Sequence, residues 1–326
     1  MALAVACGDD DGADLDAFVV DDAGVEPSDA TPATDASEPD AFAEDLGPEP
    51  DAFVPSCEPG GLGPGDVELT LDHDGLTRRY FVHVPDDYDA SEPVPLVFDF
   101  HGYSSNATQE ISLTDMNDLA DDEGFIAVHP EGTGALQSWN AGLCCATAMS
   151  GDVDDVGFVR AMLEAVASVA CVDRSRVYAT GMSNGGFLSH RLACEASDII
   201  AAIAPVAGVI GMPMDECAPP RPVPVMHFHG TFDTIVPYGG GTASGFPSVA
   251  ETIAHWASRN GCTDEAASTY DMGDSHCETF DECEGGSEVT LCTVDGGGHL
   301  WPGGLGSFST IDATEHMWAF LSRFTL

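Results

Sequence analysis

At 326 residues the chain is long enough for one large α/β domain or two ordinary ones. Its 56 acidic residues against nine basic ones, all arginine, give a formal charge of −47, a field that repels nucleic acid and anionic lipid surfaces and argues against both as partners. Eleven cysteines without a matched pair of Cys-x-x-Cys type argue against a zinc site and for disulfides made in an oxidising compartment.

In chain order, Ala4-Val5-Ala6-Cys7-Gly8 resembles a bacterial lipoprotein cleavage box behind a truncated signal over residues 1–7. This reading predicts a membrane tether through a lipidated Cys7 and an extracellular or cell-surface location. Residues 8–56 read as a disordered acidic linker. The first 56 residues carry 16 Asp or Glu and no base, with Asp-Ala-Phe repeated at Asp16, Asp40 and Asp51, so they hold too little apolar surface to offset the entropy of ordering. The remaining 57–326 alternate apolar runs with amphipathic stretches and read as one α/β domain, still near −31 in charge and expected to be monomeric.

Within it, Val67–Leu71 and Tyr80–Val84 read as strands joined by an Asp74-Gly75 hairpin turn, and Leu96–Phe100 as a central strand running into His101-Gly102-Tyr103. A structural hydrogen bond is the expected role of His101. The Asn106-Ala107-Thr108 sequon reads as coincidence. Phe125–His129 is a further strand, followed by a long loop holding Trp139-Asn140 and Cys144-Cys145. Asp152, Asp154 and Asp155 lack the glycine and distal glutamate of a calcium loop and precede Phe158, Met162 and Val166 at helical spacing, so they read as a charged helix start.

Val177–Ala179 is a short apolar run leading into Gly181-Met182-Ser183-Asn184-Gly185, with Phe187, Leu188 and Arg191 following at helical spacing. Gly-x-Ser-x-Gly between a strand and a helix is a nucleophile elbow: small neighbours let the two elements approach, and the hydroxyl sits at a helix N-terminus. Ala201–Val206 and Val223–Phe228 read as buried strands, the second leading to Asp233. His227 and His229 share a strand face but lack a further ligand set, so no metal or other cofactor is expected. A helix begins at Thr252–Trp256, a Cys-rich acidic insertion spans Cys262–Cys283, and the strand Glu288–Val294 delivers a glycine run and His299. A helix over Asp312–Phe324 closes the domain.

Ser183, Asp233 and His299 thus follow strand ends in the chain order expected of an α/β-hydrolase, with Ser183 as nucleophile, His299 as base and Asp233 orienting it. The backbone N–H groups of Tyr103 and Asn184 are the expected oxyanion hole.

HGY at His101, WN at Trp139, DDVGF at Asp154, CVD at Cys171, GMSNGG at Gly181, HGTFD at His229 and GGGHLWPG at Gly296 together resemble the polyhydroxybutyrate depolymerase and feruloyl esterase group of secreted α/β-hydrolases over residues 57–326. The resemblance implies the α/β-hydrolase fold, a mostly parallel central sheet flanked by helices, and places the catalytic roles on Ser183, Asp233 and His299. It also implies a substrate-lining Trp301, and Trp139 is expected near the mouth. The implied substrates are short-acyl, hydroxyalkanoate or feruloyl esters derived from plant cell wall or polyester. Acetylxylan esterase, lipase or peptidase activity on the same scaffold, or a non-catalytic binding lipoprotein, are the alternatives. The chain stops at Leu326, soon after the closing helix, so no appended polymer-binding module is expected. Cys171 and Cys194, at the entry to the elbow strand and the end of the following helix, are expected to pair, as are Cys262 and Cys283.

Overall fold

The computed structural model describes Cys57 and residues 61–241, 245–263 and 265–326, so the expectations for the lipobox and the acidic linker lie outside the described residues. The strands β1 (Gly65–His73) and β2 (Leu76–Val84) form the expected hairpin. Its turn residues Asp74 and Gly75 have φ of 47° and 76°, the two positive values that match a tight turn to the twist of the strands.

Next come β3 (Val94–Phe100), the helices α1 (Ala107–Thr114) and α2 (Met116–Glu123), and β4 (Ile126–Pro130). After the short α3 (Ala146–Ser150) lies α4 (Asp155–Ala167), whose N-cap Asp154 accepts the Gly157 N–H at 2.9 Å, so the acidic run is a helix start as expected. β5 (Val172–Met182), α5 (Asn184–Glu195), β6 (Ala202–Val206) and β7 (Val225–Gly230) follow. The chain ends with α6 (Val249–Arg259), β8 (Ala267–Met272), β9 (Ser275–Phe280), β10 (Val289–Val294) and α7 (Ala313–Leu321).

One ten-stranded sheet results, in the order β1-β2-β4-β3-β5-β6-β7-β10-β9-β8. The pairs β4/β3, β3/β5, β5/β6, β6/β7 and β7/β10 are parallel, so the carboxyl ends of β3, β5, β7 and β10 share one edge. Alternate side chains fill two separate cores. Leu96, Phe98, Phe100, Val177 and Ala179 pack on one face with Phe158, Phe187 and Trp256. Val97 and Tyr178 pack on the other with Met116, Trp318 and Phe320. Burial on both faces explains why the central strands read as unbroken apolar runs, while β1, covered on one face, alternates. This is the α/β-hydrolase arrangement that the motifs implied.

The Cys-rich insertion is a β-hairpin, β8 and β9, added to the outer edge of β10. It is stapled by Cys262–Cys283 at its base, as expected, and by Cys277–Cys292 across to β10. The expected pairing of Cys171 with Cys194 is wrong. Cys171 joins Cys57, Cys194 joins Cys217, and Cys144 joins its neighbour Cys145. β5 and α5 do return Cys171 and Cys194 to the same end of the sheet. A helix stacked on a sheet lies in another layer, however, roughly 10 Å away, which exceeds the ~7 Å Cα separation that a disulfide can span. Cys194 therefore meets the β6–β7 connection, and Cys171 meets the segment that precedes β1.

Candidate active site

Ser183 sits between β5 and α5 with φ 55° and ψ −116°, a conformation that a residue with a side chain adopts only when its surroundings enforce it. Its N–H donates to the Val206 carbonyl at 2.8 Å and its carbonyl accepts from the Phe187 N–H at 2.9 Å, so the strained residue is clamped from both sides. Glycines make the close approach possible. A Cβ on Gly185 would overlap the Phe100 carbonyl, and one on Gly208 would lie 2.6 Å from the Ser183 oxygen.

Asp233 and His299 are brought together directly: His299 Nδ1 donates to Asp233 Oδ2 at 2.6 Å. The two loops are pinned to each other. The Thr231 N–H donates to the Val294 carbonyl, the Phe232 N–H to the Gly297 carbonyl, and the Gly296 N–H to Thr231 Oγ1. Asp233 Oδ1 accepts the N–H groups of Ile235 and Val236, each at 2.8 Å. Burial alone would push the Asp233 carboxyl up, but hydrogen bonds from His229 and His299, the imidazole charge and the Val236 amide outweigh it and hold the group well below the usual carboxylate range. Ser183 lies at the same sheet edge, two strands from β7.

Gly102 lies against Ser183, its Cβ position 3.5 Å from Ser183 Cβ, which brings the loop carrying Tyr103 beside the hydroxyl. The Asn184 side chain grips the backbone of Trp139 twice, accepting its N–H at 2.7 Å and donating to its carbonyl at 3.1 Å. Trp139 Nε1 in turn donates to the His101 carbonyl at 2.9 Å. His101 accepts the Gly132 N–H on Nε2, leaving Nδ1 to donate to the Gly102 carbonyl, and burial depresses its pKa, so the ring is a neutral brace, as expected.

The two tryptophans expected near the mouth do not line it with their rings. Trp139 is 0% and Trp301 1% exposed, and Trp301 Nε1 donates to Thr314 Oγ1 in the far core. Instead, exposed apolar side chains stand at the site residues or within two positions of them. Tyr103 is 42%, Phe232 75%, Ile235 63% and Leu300 46% exposed. The signal that could have found them is an apolar residue at a strand's carboxyl end where the loop must face water. A cavity of ≈ 190 Å³ behind the His299 loop is lined by Gly298, Leu300 and Phe308 but by neither Ser183 nor Asp233.

A buried acidic pocket backs the site. Glu110, on α1, is pushed well up in pKa, chiefly by burial and also by the Asp99 charge, with the backbone N–H groups of Met182 and Gly102 acting against this. Asp99 accepts the Thr114 hydroxyl at 3.0 Å and lies 3.3 Å from His129 Nδ1. Sequence reading missed this group because nothing local in α1 marks a carboxylate as buried. Among the described residues no cluster of His, Cys, Asp or Glu has the arrangement of a metal site, and no helix is long and apolar enough to cross a membrane.

The chain matches the family described as Esterase PHB depolymerase over residues 79–217. It is 33% identical over 261 residues to Feruloyl esterase B of Piromyces equi, covering 76% of this chain but 46% of that protein. NocK of Nocardia uniformis subsp. tsuyamanensis, named as an esterase, is 32% identical over 251 residues, with 71% of this chain and 72% of the relative covered. The fold resembles that of the acetyl xylan esterase from Aspergillus awamori, with a TM-score of 0.60 at 14% identity over 78% of this chain and 99% of that one. With the strand order, the strained serine and the Asp233–His299 pair in place, the chain belongs to the esterase PHB depolymerase family of α/β-hydrolases.

Proposed function

We propose that this chain is a serine carboxylic ester hydrolase that works through Ser183, His299 and Asp233 and a covalent acyl-enzyme. The observation that carries the reading is the elbow conformation of Ser183 at the sheet edge where His299 is already hydrogen-bonded to a buried, ionised Asp233. His299 Nδ1 is committed to the carboxylate, so Nε2 is left to take the Ser183 proton as the hydroxyl attacks the ester carbonyl. The developing oxyanion is met by the N–H groups of Asn184 and Tyr103, each contributing about 3 kcal/mol in sites of this kind. His299 then returns the proton to the leaving alcohol. Water, activated by the same ring, releases the acid.

The substrate class we assign is short-acyl, hydroxyalkanoate or hydroxycinnamoyl esters. The exposed apolar side chains of Tyr103, Phe232, Ile235 and Leu300, on the loops that carry the reacting groups, suit an aromatic or short aliphatic acyl chain. The Piromyces equi relative, named a feruloyl esterase, supports the aromatic member of this class. Five disulfides among the described residues support folding in an oxidising compartment, and with it export and plant cell wall or polyester esters as the substrate source. We further assign residues 1–7 to a truncated signal with a lipobox and 8–56 to a spacer ahead of the catalytic domain.

The test is the wild-type chain and Ser183→Ala assayed against 4-nitrophenyl esters of increasing acyl length from acetate upward, methyl ferulate, acetylated xylan and hydroxybutyrate oligomers, together with labelling by a fluorophosphonate probe. The variant should lose both turnover and labelling while unfolding at the wild-type temperature. Turnover that survives in Ser183→Ala would refute the nucleophile, and a rate rising steadily with acyl length would refute the substrate class.

A further inference from the structure

Behind Asp233 runs a buried row of rings that the reaction does not touch. Trp256 on α6, His190 on α5, and His227 and His229 on β7 are each at most 1% exposed. Trp256 Nε1 lies 3.0 Å from His190 Nδ1, His190 Nε2 lies 3.3 Å from His227 Nδ1, and His227 Nε2 lies 3.1 Å from His229 Nδ1. His229 Nε2 then lies 2.8 Å from the Val236 carbonyl and 3.4 Å from Asp233 Oδ2, the same oxygen that accepts from His299.

Proton positions along this row follow from its two ends. The indole N–H can only donate, so His190 Nδ1 must accept and His190 Nε2 must carry the proton. That forces His227 Nδ1 to accept, and by the same step His229 Nδ1. At the other end a carbonyl and a carboxylate can only accept, which independently requires a proton on His229 Nε2. Both ends impose one direction, and all three rings are neutral Nε2–H tautomers. A second proton on any of them would set one N–H against another. In keeping with this geometry, burial together with the neighbouring histidines pushes His190 down to about 3 and His227 well below the usual range.

We propose that Trp256, His190, His227 and His229 form a one-way hydrogen-bonded chain whose last N–H holds Asp233 in place for His299, making His229 a positioning residue. The proposal rests on the triad reading above. His229 reaches the carboxylate by two routes. Its N–H donates to the Val236 carbonyl at 2.8 Å, while the N–H of Val236 holds Asp233 Oδ1, and the same His229 nitrogen lies 3.4 Å from Asp233 Oδ2. The other three members fix the His229 tautomer, since an Nδ1–H ring would present a bare nitrogen to a carboxylate and a carbonyl at once.

The experiment compares His229→Gln, whose amide N–H reaches roughly where Nε2 stands, with His229→Met, which fills similar space with no donor. Alongside, ring ¹⁵N spectra of the wild-type full chain give the tautomers. His229→Met should lower kcat on 4-nitrophenyl acetate about tenfold or more with KM within about twofold, and His229→Gln should recover to within about threefold of wild type. The spectra should show His190, His227 and His229 as Nε2–H rings. Equal impairment of the two variants, a Met variant within twofold of wild type, or an Nδ1–H ring at any of the three positions would overturn the proposal. The spectra need no variant to fold and no activity. A wild-type chain that neither turns over nor takes up fluorophosphonate would count against the triad alone.

Discussion

Replacing Asp233 by asparagine changes one atom and tests the logic of the site. The carboxylate receives three hydrogen bonds, from the Ile235 and Val236 amides on Oδ1 and from His299 Nδ1 on Oδ2, and His229 Nε2 lies 3.4 Å from Oδ2. An asparagine has a single oxygen to offer, so its NH₂ must face one of the two pairs. Aimed at the backbone amides, it would leave the buried Val236 N–H with nothing to donate to, at roughly 1–3 kcal/mol, and the part-buried Ile235 N–H with it. Aimed at the histidines, it leaves His229 with the Val236 carbonyl and lets His299 escape by moving its own proton from Nδ1 to Nε2. The second orientation is therefore preferred, and in it His299 Nε2 carries a hydrogen and cannot accept one from Ser183. Where an orienting acid is lost in this way, kcat falls by about 10⁴, equivalent to ~5 kcal/mol of transition-state stabilisation. Steady-state kinetics with 4-nitrophenyl acetate should show a kcat loss of about 10³ to 10⁴ with KM changed only a few-fold. Ring ¹⁵N spectra should show His299 as the Nε2–H tautomer. A loss below tenfold in a folded variant, or His299 still protonated on Nδ1, would refute the reasoning.

Much of this site was legible because local rules determine its parts. Gly181 to Gly185 announces an elbow, Asp233 and His299 lie in loops that follow buried strands, and the two-residue turn at Asp74-Gly75 has the dihedrals its sequence demands. What the sequence concealed is settled across layers. β8 and β9 form an edge hairpin in which β8 is almost wholly exposed, so its residues carry no alternation to read and only the cysteines stood out. Trp139 and Trp301 lie beside motif residues, which suggested contact with substrate. At Trp139 the backbone N–H and carbonyl are gripped by Asn184, and the buried ring donates its N–H to the His101 carbonyl instead of facing substrate. His227 and His229 were visible as two histidines on one strand face, but the partners that give them meaning come from α5 and α6, 37 residues from His227 at His190 and 66 from His190 at Trp256. The pairing of Cys171 failed for a similar reason: return to the same end of a sheet is not return to the same layer.

Three further outcomes check how the scaffold supports the site. Glu110 has a folded pKa raised above its unfolded value, so its contribution to stability is fully present below the unfolded value and is lost as pH rises through the folded one. Urea unfolding of Glu110→Gln should therefore show the stability difference moving in the variant's favour between pH 5 and pH 8, and a difference that does not change with pH would refute a buried neutral acid. Removing the Cys194–Cys217 bridge by a double alanine change frees a loop with a sequence separation of 23, worth about 3 kcal/mol of chain entropy, and an unchanged midpoint in denaturant would show that the bridge restrains nothing. The last is Gly185→Ala. A Cβ there would overlap the Phe100 carbonyl and lie 2.9 Å from Phe100 Cβ, and Phe100 is the final residue of β3, immediately before the His101-Gly102-Tyr103 loop. Neither backbone can yield cheaply, because Ser183 is already held in its strained conformation by Val206 and Phe187. Relief must come from moving α5 and the Tyr103 loop apart, which separates the two N–H groups assigned to the oxyanion while leaving the Asp233–His299 pair intact. The variant should thus lose kcat by about 10² or more, comparable to removal of one oxyanion donor. A variant that keeps wild-type turnover would show that the approach of β3 to the elbow does not set the oxyanion geometry.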